Sequence, residues 1–212
     1  MLLISIFISL ILTIAGTSVL PRYIHYIFKP LTMILIILLF LENNMAPFSP
    51  SGIRWILLTA FILSLLGDIF LMLPKNLFIP GLLSFLGAHL FFMMAFRPNP
   101  LSVLGETRSW IVLIVLLGIA GSVLRKLWKH LGSLKIPVFV YMLALIGMSW
   151  FAIVRGFHQD LALLIPGALL FVASDATLAL NRFVAPVKNA QLKILGTYFL
   201  AQLCFTVAWG SI

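Results

Sequence analysis

Two carboxylates stand where carboxylates are least welcome. Asp68 lies in Ser64-Leu65-Leu66-Gly67-Asp68-Ile69-Phe70-Leu71-Met72-Leu73, and Asp175 lies in Phe171-Val172-Ala173-Ser174-Asp175-Ala176-Thr177-Leu178-Ala179-Leu180. Only five of the 212 residues are acidic, so two of them inside apolar runs call for an explanation. An ionisable side chain at membrane depth costs roughly 2.5–3.5 kcal/mol on insertion scales and marks a functional site by default. Burial and mutual repulsion in such a pair favour one neutral acid beside one carboxylate. That mixed state is the equipment of general acid–base chemistry. The competing reading makes each aspartate a structural partner of an Arg, a Lys or a tyrosine hydroxyl. Two at one depth, with no basic residue apparent inside a span, weigh against it.

The rest of the chain supplies the setting. It is 63% hydrophobic and 9% charged, with a mean hydropathy of +1.20, whereas soluble domains carry about 25% charged residues. The expected class is an all-α, multi-pass membrane protein. The net charge of +9 does not argue for nucleic acid, because Lys and Arg sit in short clusters between apolar runs. That pattern fits topology signals and contacts with anionic lipids at basic cytoplasmic loops. The single Cys204 reads as a small apolar filler. Residues 1–20 are apolar with no basic residue ahead of them, which reads as a first span rather than a removable leader.

A span needs roughly 17–25 mostly apolar residues, and eight stretches qualify: 2–20, 24–41, 53–73, 80–96, 110–124, 136–154, 161–180 and 190–210. Breakers mark the connections between them: Pro21, Pro47, Pro50, Pro74, Pro98, Pro100, Gly132, Gly156 and Pro186. Pro30, Pro80 and Pro137 are expected near the first turn of a span, where a missing N–H costs least, and Pro166 near the start of the seventh. The first, third, fifth and seventh connections with their flanks carry ten Lys and Arg, including Arg22, Lys29, Lys75 and Arg182; the others carry four. The positive-inside rule then puts the odd connections in the cytoplasm and both termini outside.

The chain reads as one membrane domain, 1–212, whose halves 1–105 and 106–212 look like copies. A shift of 107 residues lays Asp68 on Asp175, Lys75 on Arg182 and Pro30 on Pro137. A shift of 109 lays Leu86-Gly87-Ala88-His89 on Leu195-Gly196-Thr197-Tyr198. Four spans per copy would make the copies parallel. Both aspartates then sit about 8 Å from the cytoplasmic ends of their spans at 1.5 Å per residue. His89, Tyr141 and Tyr198 are expected in the same layer, with Gln202 one turn beyond Tyr198 on its face. Ser64 precedes Asp68 by one turn and Ser174 adjoins Asp175, though such serines most often serve a backbone carbonyl. Gly167, Ala168 and Ala179 would let helices approach closely.

No G-x-S-x-G nucleophile elbow occurs, and His25, His89, His130 and His158 are too scattered for a zinc site. A proton-coupled transporter or lipid-binding membrane protein using the same aspartates stays open.

Lys29-Pro30, Ser64-x-x-Gly67-Asp68-x-x-Leu71-Met72 and Phe78-x-x-Gly81-Leu82-x-x-Phe85-x-x-x-His89 occur in that order. Pro137-x-x-x-Tyr141 with Met148, Gly167-Ala168-x-x-Phe171-x-x-Ser174-Asp175 and Tyr198-x-x-Ala201-Gln202 follow. This ordered set resembles the YhhN-like family of membrane proteins. The resemblance implies a lysoplasmalogenase, which hydrolyses the vinyl ether of lysoplasmalogens to a fatty aldehyde and glycerophospho-ethanolamine or -choline. It also implies that Asp68 and Asp175 are the catalytic pair. Lys29, Ser64, His89, Tyr141, Ser174, Tyr198 and Gln202 become supporting residues, with Lys29 at the cytoplasmic mouth meeting the phosphate. The substrate would be drawn from the membrane, and the chemistry calls for no metal or organic cofactor. The expected location is a bacterial inner membrane, or the endoplasmic reticulum in a eukaryote.

Overall fold

The computed structural model describes residues 1–43, 51–73, 77–158 and 161–210. Pro47, Pro50, Pro74 and Lys75, used above as breakers and as the counterpart of Arg182, lie outside the described residues. Nine α-helices occur among those described: α1 (Leu2–Ala15), α2 (Arg22–Asn43), α3 (Ser51–Met72), α4 (Phe78–Ala95), α5 (Pro100–Leu104), α6 (Thr107–Leu127), α7 (Lys135–His158), α8 (Leu164–Phe183) and α9 (Ala190–Gly210). No strand is found among the described residues, as expected where lipid leaves every backbone group to be satisfied within its own segment.

Seven helices, α2 to α4 and α6 to α9, are long and apolar enough to cross a membrane. The chain is therefore a multi-pass integral membrane protein. The first expected span is helical for 14 residues, about 21 Å against a hydrocarbon core of about 30 Å. It packs along α2. The second and fifth spans outrun their sequence-based limits, and the sixth and seventh run past theirs at the C-terminal end, because the helices carry on through Arg22, Arg125, Lys126, Arg155 and Arg182. Long basic side chains reach back to the interface from such positions, so charge there does not end a helix.

The bundle is arranged around two tight helix pairs. α3 runs along α4 and α8 along α9, while α2 lies against α3 and α9, and α7 against α8 and α4. Close approach is local and sequence-encoded. A Cβ on Gly67 would meet the Phe85 ring at 2.6 Å, and one on Gly167 would meet the Phe205 ring at 2.6 Å. Only hydrogen fits at these two points, and both lie on the aspartate-bearing helices. A column of rings fills the bundle beyond them, with Phe40–Phe61, Phe61–Phe92 and Phe92–Phe205 centroids 5.1, 5.4 and 5.2 Å apart. Edge-to-face and tilted pairs of this spacing add to area burial.

Pro80, Pro137 and Pro166 fall in first turns. Pro30 does not: it stands inside α2, correcting the expectation of a helix start there. A proline in a helix interior strips the carbonyl four residues back of its donor. Near it, Thr32 donates to the Phe28 carbonyl at 2.7 Å, and the Ser9 hydroxyl of α1 lies 2.7 Å from the Thr32 oxygen. These contacts tie α1 to α2 beside the proline.

Candidate active site

Asp68 is 2% exposed and both of its oxygens are engaged. Lys29 Nζ stands 3.2 Å from Oδ1, and the Tyr198 hydroxyl donates to Oδ2 at 2.8 Å. Lys29 also donates to the main-chain carbonyl of Asp68 at 3.4 Å. This overturns one expectation: a basic residue is buried inside a span after all. Lys29 lies seven residues into α2, is 7% exposed, and neutralises an aspartate rather than standing in a connection.

Asp175 has different company. The Tyr141 hydroxyl donates to its Oδ2 at 2.5 Å, and His89 Nε2 approaches the same oxygen to 4.0 Å. His89 is fully buried and held by ring edges, with the Tyr141 and Phe171 centroids both 5.0 Å away. The Asp175 side chain is 12% exposed against 3% for Asp68. Asp68 lies four residues before the end of α3 and Asp175 eight before the end of α8, about 6 and 12 Å of helix. Equal distance from helix ends is therefore not what brings them together.

A cavity does. Asp68 and Asp175 line one cavity of about 310 Å³, whose wall also includes Lys29, Phe85, Ser174 and Tyr198. Its outer part is Gly16 and Thr17 after α1, Arg22, His25 and Tyr26 on α2, and Gln191 on α9. Two narrower clefts of about 50 Å³ each also reach Asp175 and Tyr141 from other sides, and their walls are nearly all apolar.

The remaining expected residues divide. Gln202 is fully buried next to the Tyr198 hydroxyl, as its one-turn spacing implies. Ser64 donates to the Ala60 carbonyl of its own helix at 2.9 Å and does not line the cavity. Ser174 donates to the Ile194 carbonyl of α9 at 3.0 Å. Both serines thus serve backbone, and Ser174 at the same time fastens α8 to α9 next to Asp175.

Arg22, His25 and Tyr26 were missed. They and Lys29 stand at i, i+3, i+4 and i+7, one face of a helix. Burial rises along that face from exposed Arg22 through half-buried His25 to Lys29. Beginning the span at residue 24 hid the stripe.

The model of the YhhN family matches residues 24–209. The chain belongs to the YhhN family. The match takes in both aspartates and every residue that contacts them, and leaves Gly16, Thr17 and Arg22 of the cavity mouth ahead of it. Among curated YhhN-type relatives, Lysoplasmalogenase TMEM86B of Homo sapiens is 35% identical over 162 residues, covering 76% of this chain and 66% of the relative. Lysoplasmalogenase TMEM86A of Homo sapiens is 31% identical, covering 73% and 64%, and Lysoplasmalogenase of Mycobacterium bovis is 32% identical, covering 74% and 60%. The matched stretch thus spans a little under two thirds of these relatives' own length. No solved structure matches this YhhN chain significantly.

Proposed function

We propose that this protein hydrolyses the vinyl ether bond of a lysoplasmalogen, with Asp175 as the general acid and Asp68 as the general base. The observation that carries the reading is one cavity walled by a buried aspartate, Asp68, that has a cation and a half-buried one, Asp175, that meets none among the described residues. An ionised carboxylate buried at membrane depth needs a counter-charge. Asp68 has one in Lys29, whereas Asp175 meets a phenol and an imidazole. The proton is therefore assigned to Asp175.

The reaction then closes on itself. Asp175 gives its proton to the β-carbon of the vinyl ether, leaving an oxocarbenium ion beside two carboxylates. Asp68 takes a proton from water as that water adds to the cation. The hemiacetal collapses to fatty aldehyde and glycerophospho-alcohol, with Asp68 returning its proton to the departing ether oxygen and Asp175 recovering one from the hemiacetal hydroxyl. Paired carboxylates divide the work in a similar way in glycoside hydrolysis. Tyr198 and Tyr141 hold the two carboxylates in place, Gln202 supports Tyr198, and His89 is poised to follow proton movement at Asp175. Since Lys29 is committed to Asp68, exposed Arg22 on the same helix face meets the phosphate first.

Two finer readings accompany this one. The swapped contacts, α2 with α9 and α7 with α4, support two related halves in the chain. The mouth of the cavity lies at the end of the bundle bearing Arg125, Lys126, Lys129, Lys135, Lys188 and Lys193, which by the positive-inside rule faces the cytoplasm. The deciding experiment offers purified protein a vinyl ether lysolipid in D₂O. Release of an aldehyde carrying one deuterium next to its carbonyl carbon is expected. Aldehyde without that deuterium would exclude β-carbon protonation. No aldehyde, with pH-gradient-dependent uptake into liposomes, would make the protein a transporter.

A further inference from the structure

A long hydrocarbon tail needs more length of apolar wall than a cavity of about 310 Å³ offers beside a head group. We infer that the tail lies in the seam between α6 and α7, reached sideways from the bilayer, with its vinyl ether end at Asp175; this rests on the hydrolase reading and supplies its lipid-binding half.

The seam is a row of adjoining spaces. The cleft ending at Asp175 and Tyr141 is bounded by α6, α7 and α8. It shares Ala120, Met142 and Ile146 with a space of about 140 Å³ between α6 and α7, which shares Gly121 and Leu124 with an open recess at Trp128. The polar cavity and this seam thus meet at one residue, Asp175, as a substrate with a phosphate at one end and a tail at the other requires. Near both of its ends α6 is tied to α7 by a polar or cation–ring contact, while Leu116 packs into the core between them. Trp150 Nε1 donates to the Ser109 carbonyl at 3.0 Å at one end, and Lys135 lies 5.3 Å over the Trp128 ring at the other. In the middle, a Cβ on Gly118 or Gly121 would meet nothing within 4 Å. The other cleft at Asp175 is lined by Phe78, with Arg182 4.0 Å over its ring and Phe183 5.5 Å from it, and shares no residue with the spaces between α6 and α7 that continue to the bilayer.

Two variants and one probe test this. Gly121→Leu fills open space and leaves the fold intact, and Ala120→Phe plugs the shared wall. Each should raise KM for a long-chain vinyl ether lysolipid about tenfold, within the 10–200-fold by which apolar pockets discriminate, and leave a butenyl analogue unchanged. Unaltered KM in both variants would overturn the assignment. Independently, a non-hydrolysable saturated ether lysolipid with a diazirine at the tail terminus should label residues 117–124 and 139–146 on photolysis. Labelling around Phe78 and Leu82 would reject the seam even if hydrolysis is robust. Labelling of the seam without any hydrolysis would keep the tail site and reject the enzyme.

Discussion

Asp68 and Asp175 are held by the same plan and different chemistry. Each takes one partner from the helix before its own and one from a helix distant in the chain: Lys29 on α2 and Tyr198 on α9 for Asp68, Tyr141 on α7 and His89 on α4 for Asp175. His89 and Tyr198, which the 109-residue shift lays on each other, each come up against one aspartate. What breaks the symmetry is Lys29, for which Tyr141 is the nearest functional equivalent. Under the proposed mechanism, one cation in one of two similar pockets divides a pair of identical acids into a carboxylate and a proton donor.

The largest effect should come from the aspartates themselves. Asp175→Asn and Asp68→Asn each remove a proton-transfer group, at a cost of about 10²–10⁴ in turnover. The two differ in stability: Asp68→Asn leaves Lys29 buried without its counter-charge and lowers the melting temperature, while Asp175→Asn leaves it near that of the parent. Equal melting temperatures would remove the distinction between the pockets. Next comes Lys29→Met, which strands a buried carboxylate and should cost about 3–5 kcal/mol on unfolding in mixed micelles. Combining it with Asp68→Leu should recover most of that loss, because an apolar pair often replaces a buried ion pair without penalty. A double variant as unstable as the sum of the singles would show that the two side chains are not coupled.

The tyrosines sharpen the same contrast. Tyr198→Phe removes a hydrogen bond to a charged acceptor and should cost about 1.5–3 kcal/mol of stability, against about 0.5–1.5 kcal/mol for Tyr141→Phe at a neutral acid. The reverse order would exchange the acid and base. The smallest difference is expected at the serines. Ser174→Ala loses a bond between helices, worth about 1 kcal/mol. Ser64→Ala loses only a back-bond within α3 and should fall within about 0.5 kcal/mol of the parent.

Much of this site is legible in residue order. A carboxylate in an apolar run is conspicuous because insertion makes it costly, and residue counts bring Tyr141 and Tyr198 to the aspartates' layer. Lys29 was hidden by a physical ambiguity. A lysine close to a helix end and followed by proline reads as a connection, because proline favours first turns and long cations favour interfaces. Pro30 stands inside α2 rather than in its first turn, so α2 does not announce its true start at the proline. The seam of α6 was equally invisible: Gly118 and Gly121 invite close packing in sequence and meet open space in the fold.

At the end of the bundle opposite the cavity, Arg155 ties the described helix ends together, and that gives the protein a direction. Arg155 donates to the carbonyls of Ala95 and Arg97 at 3.0 Å each, where α4 ends, and lies 4.8 Å over the Trp209 ring. Phe96 stacks behind it against Phe205 and Trp209, 4.9 and 5.9 Å away. One side chain of α7 thereby stops the C-terminal ends of α4 and α9 with a cation, where helix dipoles favour one. On the proposed reading, a lysolipid in the leaflet on that side would have to cross the bilayer before its head group could reach the mouth. Turnover of such molecules in sealed vesicles would then be limited by transbilayer movement.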